Sequence, residues 1–205
     1  MFFIGDIHGE WESYSDWLEI LEERPSIQVG DFGLGFNSDI PNKWNLQHKF
    51  IRGNHDNPIL CREHPNYLGE YGVTENGVFF VSGAHSIDLE RREIEEWFGL
   101  TPKSWWKDEE IAESEFEKIL KLYEDTKPKI VVSHDCPSEI RDEIIIKGKK
   151  SYRNRTSDGL LSAMFRSHSP ELWVFGHYHE SLDFEINNTK FKCLRPREVF
   201  EYAYE

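Results

Sequence analysis

The chain has 205 residues, 38% of them hydrophobic and 30% charged, with Lys+Arg 24 against Asp+Glu 38 and a formal net charge of -14. That length suits one domain with a substantial core, expected to span residues 1–205. So acidic a surface repels nucleic-acid backbone and anionic lipid, which are bound through clustered Lys and Arg, so neither long nucleic acid nor a membrane is an expected partner.

The N-terminal Met-Phe-Phe-Ile-Gly-Asp has neither the charged n-region nor the long apolar stretch of a secretory leader. With no apolar run long enough to cross a bilayer, the expected location is cytoplasmic. Residues 2–5 form a short apolar run that stops at Asp6. Residues 10–23 follow a helical period, with Trp11, Tyr14, Trp17, Leu18 and Leu21 on one face and Pro25 beyond the end. Residues 26–30 read as a strand stopping at Asp31, residues 49–53 as one stopping at Asn54, and residues 78–82 as one stopping at Gly83. A second helix is expected over residues 108–125, with Ile111, Ala112, Phe116, Ile119, Leu120 and Tyr123 at helical spacing. Residues 129–133 are a strand stopping at His134, residues 157–167 a helix, and residues 172–176 a strand stopping at His177. Leu182–Ile186 and residues 191–194 flank Asn187-Asn188, a hairpin signal, and residues 199–204 offer one more strand.

Five of these apolar runs stop in the same way. The sequence then presents Gly5-Asp6-Ile7-His8-Gly9, Gly30-Asp31, Gly53-Asn54-His55-Asp56, Ser133-His134-Asp135 and Gly176-His177-Tyr178-His179. In an open α/β sheet, side chains at neighbouring strand ends meet in the ligand crevice. Glycine beside them permits tight turns and close backbone approach. Imidazole, carboxylate and amide together suit Mn, Fe, Zn or Ni better than Ca or Mg. Enough donors are present for two ions if one carboxylate is shared, and two such ions clamp an in-line phosphoryl displacement and activate water. Bound cations also make a phosphate substrate compatible with an acidic chain. Cys61, Cys136 and Cys193 are far apart and form no metal-binding pair. They read as free thiols of a reducing compartment.

The motif set from Gly5 to His179 resembles the calcineurin-like metallophosphoesterase superfamily, in particular its branch of Ser/Thr protein phosphatases and dinucleoside polyphosphate hydrolases. Gly83 to Asp88, Ser104-Trp105-Trp106 and Asn154 to Ser157 are similar to bacterial and phage members. The resemblance implies an α/β fold of two packed mixed sheets flanked by helices, a four-layer sandwich. It implies that Asp6, His8 and His179 bind one metal, that Asn54, His134 and His177 bind another, and that Asp31 bridges them. A hydroxide shared by the metals, with Mn the first choice, would attack phosphorus. His55 would serve the leaving oxygen, with Asp56 orienting its ring; Asp56 otherwise reads as a helix N-cap before Pro58. The expected activity is hydrolysis of a phosphate mono- or diester, on a phosphorylated small molecule, a nucleotide or a phosphoprotein. A non-catalytic metal-binding interaction module on the same fold is the reading from a different class.

One departure bears on substrate binding. The branch usually carries an Arg-Gly element after the bridging Asp, whereas Asp31 is followed by Phe32-Gly33-Leu34-Gly35. Arg153 and Arg155, in the basic stretch 146–155, are candidates to supply the missing guanidinium. Arg52 and His85 are further substrate-binding candidates, although Arg52 sits in a strand run where a carboxylate partner would claim it.

Overall fold

A computed structural model describes residues 1–35, 40–86, 89–100, 105–142 and 156–203. The strands are β1 (Phe2–Ile4), β2 (Ser26–Gln28), β3 (His48–Phe50), β4 (Tyr71–Val73), β5 (Val78–Val81), β6 (Ile130–Ser133), β7 (Leu172–Phe175), β8 (Leu182–Ile186), β9 (Thr189–Cys193) and β10 (Val199–Glu201). The helices are α1 (Trp11–Leu21), α2 (Pro58–Glu63), α3 (Leu89–Trp97), α4 (Phe116–Thr126), the single turn α5 (Ser138–Ile140) and α6 (Thr156–Ser167).

Two mixed sheets result. One has 4 strands in the order β10-β1-β2-β3, and the other has 6 in the order β4-β5-β6-β7-β9-β8. The pairs β1–β2, β2–β3, β5–β6 and β6–β7 are parallel, so their C-terminal ends lie on one edge of each sheet. Strands β10, β4 and β8 run antiparallel to their neighbours.

Period-two alternation sorts the side chains into layers. Phe3, Ile27 and Ile51 from the first sheet pack against Val78, Phe80, Ile130, Val132, Leu172 and Val174 from the second. The intervening residues face outward. Phe2, Ile4 and Phe50 meet Tyr14 and Leu21 of α1. Phe79, Val81, Val131, Trp173 and Phe175 meet Ile119 and Tyr123 of α4 and Leu160, Leu161, Met164 and Phe165 of α6. Helix, sheet, sheet, helix is the expected four-layer sandwich. Asn187 and Asn188 close the β8–β9 hairpin with φ of 53° and 62°, the left-handed pair of a type I′ turn.

The helix expected over 108–125 is shorter. A 3₁₀ turn occupies Glu113–Glu115 and α4 starts at Phe116. Upstream, tertiary bonds claim the chain: Glu109 accepts from the Ser86 N–H (2.6 Å) and hydroxyl (2.7 Å), and Glu110 accepts from the Ser157 N–H (3.0 Å) and hydroxyl (2.9 Å). The three cysteines are free and buried. No helix among the described residues is long and apolar enough to cross a membrane.

Candidate metal centre

The parallel strands of both sheets deliver their C-terminal ends to one seam. Asp6 follows β1, Asp31 follows β2 and Asn54 follows β3, while His134 follows β6 and His177 follows β7. Bonds across the seam lock the two sheets in register. The Asp6 carboxylate accepts the His177 N–H (3.2 and 3.3 Å), and His134 Nδ1 lies 2.9 Å from the Val29 carbonyl. Glycine makes the approach possible. A Cβ at Gly53 would overlap Asp31 Oδ1 and His134 Nε2, and one at Gly176 would overlap Asp6 Oδ1. The non-glycine residues His8, Asp31, His177 and His179 have φ of 49°, 54°, 67° and 57°. Left-handed backbone of this kind persists where surrounding structure over-determines it, and it clusters at functional sites.

The donors fall into two groups that share Asp6. Asp6, His8 and His179 form one, and Asp6, Asp31 and His134 form the other; within each group the candidate ligand atoms lie within 4.8 Å of one another. His179 Nε2 is 3.4 Å and His8 Nε2 3.8 Å from Asp6 Oδ2. Asp31 faces both ways, with Oδ1 3.4 Å from His134 Nε2 and Oδ2 4.0 Å from His8 Nε2. The His177 ring packs on that of His134 at a centroid distance of 5.0 Å but joins neither group.

Two buried atoms fit a cation as their partner. Asn54 Oδ1 and His134 Nε2 are shielded from solvent and have no hydrogen-bond partner, a state that costs about 1–3 kcal/mol for a polar group. In both residues the other polar atom is held. Asn54 Nδ2 donates to Ser86 Oγ at 3.1 Å, and His134 Nδ1 faces a carbonyl, which can only accept. Each side chain is thus oriented by one atom and left with an acceptor to spare, as ligands are when an outer partner fixes them.

The electrostatics agree. Burial disfavours the Asp31 carboxylate, but the charges of His134 and His55 hold its pKa well below the ordinary value. Burial pulls His134 down, but the Asp31 and Asp6 carboxylates raise it overall, so the space beside its ring favours positive charge. Burial pushes His177 down to about 4, which keeps it neutral and fit to bind metal near pH 7.

The other sequence candidates separate. His55 lies at the centre, with its N–H donating to Asp31 Oδ1 (2.9 Å) and its Nε2 3.9 Å from Asp31 Oδ2. Asp56 is not oriented toward that ring as expected. Its buried carboxylate accepts backbone N–H groups of Phe32 (3.0 Å), Gly33 (2.6 Å), Leu34 (3.2 Å) and Gly53 (2.8 Å), which pins the loop after β2 to the loop after β3. Nor is it a helix cap: Asn57 caps α2 by accepting the Ile59 N–H at 3.0 Å. Arg52 is buried and bonded to Glu70 (2.7 and 3.0 Å) and to the Glu109 carbonyl, so it is committed to structure rather than to substrate. His85 Nδ1 sits 3.5 Å from Glu110 and 3.8 Å from Glu109. Arg153 and Arg155 lie outside the described residues. Phe32, in the place of the expected arginine, is fully buried and stacked on Trp44 at 4.9 Å.

Three residues at the centre were missed. Ser86 holds Asn54, Glu109 holds Ser86, and Arg92 Nη2 lies 3.2 Å from His55 Nε2. The signal for the first was available: β5 is parallel to β6, so the residues after β5 reach the same crevice as the other strand ends.

The sequence profile of the calcineurin-like phosphoesterase family matches residues 1–181. No curated protein matches. Among solved structures, the chain is similar to a phosphopantetheinyl hydrolase from Mycobacterium tuberculosis at 10% identity and a TM-score of 0.45, over 95% of this chain and 89% of that one.

Proposed function

Because the chain belongs to the calcineurin-like phosphoesterase family and is thereby a metal-dependent phosphoester hydrolase, we propose that it works through a dinuclear centre on the seam between its sheets. Asp6, His8 and His179 would hold one ion, Asn54, His134 and His177 the other, with Asp31 between them. Bound divalent ions supply Lewis acidity and activate water; Mn is the first choice, with Fe, Zn and Ni accepted by the same donors. The observation that carries the reading is the pair of buried acceptors without hydrogen-bond partners, Asn54 Oδ1 and His134 Nε2, which follow strands of different sheets.

The chain's own residues divide the remaining work. Asp31 fixes the spacing of the two donor groups and, through Oδ1, the backbone of His55. His55 stands beside the centre and would serve the leaving oxygen. Asp56 keeps the loops of Asp31 and Asn54 together, so its role is positional. The substrate is a phosphate mono- or diester carried by a small molecule, a nucleotide or a phosphoprotein.

The test is Mn-dependent release of p-nitrophenol from p-nitrophenyl phosphate and from its bis ester. Chelation should abolish turnover. Asp31→Asn should cut kcat/KM by more than about 100-fold, since even outer partners of a metal site cost 10–100-fold. Undiminished turnover by Asp31→Asn in metal-free buffer would sink the mechanism.

A further inference from the structure

No residue of α3 is buried, yet the helix starts from the metal centre. Its first residue donates to the Ser86 carbonyl (Leu89 N–H, 3.3 Å), and Ser86 is the residue that receives the Asn54 amide. The connection leaving β5 therefore begins at the ligand crevice. Arg92, in the first turn of α3, places Nη2 3.2 Å from His55 Nε2, and that ring nitrogen lies 3.9 Å from Asp31 Oδ2. A guanidinium has donors only, so the ring nitrogen is the acceptor in this contact.

A phosphoryl group held at the centre needs donors for its non-bridging oxygens. Arginine is the side chain best shaped for this, because its planar fork matches two phosphate oxygens. The position after Asp31 cannot provide one, since Phe32 is sealed in the aromatic core. Arg52 is taken by Glu70 and Glu109.

We propose that Arg92 is the substrate-binding arginine, exchanging its contact with the His55 ring for the non-bridging oxygens of the substrate phosphoryl group. This rests on the phosphoesterase reading above. It places the phosphate grip on the helix that follows β5, instead of in the loop after the bridging carboxylate. Because α3 is exposed, the guanidinium can make that exchange without opening the core.

The experiment compares Mn-loaded full-length wild type, Arg92→Ala, Arg92→Lys and Arg91→Ala. Arg91 is an exposed neighbour that pairs with Glu95. Loss of a preorganised donor to a reacting oxygen costs about 10²–10³-fold, so Arg92→Ala should lose about that much kcat/KM on p-nitrophenyl phosphate. Competitive inhibition by inorganic phosphate should weaken in parallel. Arg92→Lys should recover part of the loss, added guanidinium ion should partly rescue Arg92→Ala, and Arg91→Ala should match wild type. Arg92→Ala with wild-type kcat/KM and unchanged phosphate inhibition would overturn the assignment while leaving the phosphoesterase reading intact. Loss of bound metal or of melting temperature in Arg92→Ala would make the residue structural and overturn it equally. A wild type that hydrolyses neither ester would instead bring down the phosphoesterase reading, and this inference with it.

Discussion

A methyl group at position 53 would occupy the space of Asp31 Oδ1 and His134 Nε2, so the residue before a ligand matters as much as the ligand. The same holds one step outward. Ser86 takes the Asn54 amide hydrogen and is itself held by Glu109 through two bonds. Ser86→Ala removes the group that orients Asn54, and metal affinity should fall by about 10–100-fold. Titration of the metal-free variant with Mn checks this; wild-type affinity would mean that Asn54 is held some other way. At this scale the sequence was most informative about candidate ligand atoms and least about the atoms that hold them in place. Asp6, Asp31, Asn54 and His134 were legible as candidates because each stops an apolar run, beside glycine except at His134, and His8 and His179 because each lies two residues beyond such a stop. The work of Asp56 was not, because backbone N–H groups from positions 32 to 34 leave no trace in residue type. Arg92 was not, because it sits in a helix whose charged pattern looks like any solvated surface.

The elements followed the hydrophobic period wherever packing alone decided them. Strands β1, β2, β5, β6 and β7 and helices α1 and α6 fall within a few residues of expectation. Polar tertiary bonds explain the exceptions, as at Glu109 and Glu110, which draw the chain away from helix ahead of α4. The segment from β3 through α2 holds another such network. His64 Nδ1 accepts the Asn66 N–H at 3.2 Å while Nε2 lies 3.1 Å from the Pro41 carbonyl, which requires a neutral ring. Burial lowers its pKa from 6.5, with the Pro41 carbonyl opposing, so the unfolded chain takes up the proton first. The stabilisation is therefore complete above about pH 6.5 and is lost as the pH falls below it. Urea midpoints at pH 7.5 and 5.5 should differ more for wild type than for His64→Gln. Equal differences would contradict the assigned tautomer.

For the whole molecule, the decisive feature is that neither sheet owns the centre. Asp6, Asp31 and Asn54 come from one sheet, and His134, His177 and His179 follow a strand of the other, so the site exists only when the sandwich is assembled. It also answers how a chain of net charge -14 binds phosphate: the favourable field would be local, made by cations and one guanidinium inside an acidic surface. The sandwich was legible through the family that the motifs resemble; the residues at the strand ends by themselves implied only that those ends converge on one crevice. The edge strand β4 was not, because Tyr71-Gly72-Val73 is too short and too exposed to show a period. The most direct measurement of the central claim is anomalous scattering from crystals of the Mn-loaded protein. Two peaks roughly 3.5–4 Å apart are predicted, one among Asp6, His8 and His179, the other among Asn54, His134 and His177, with Asp31 reaching both. A single peak, or ions that leave Asn54 and His134 unligated, would contradict it.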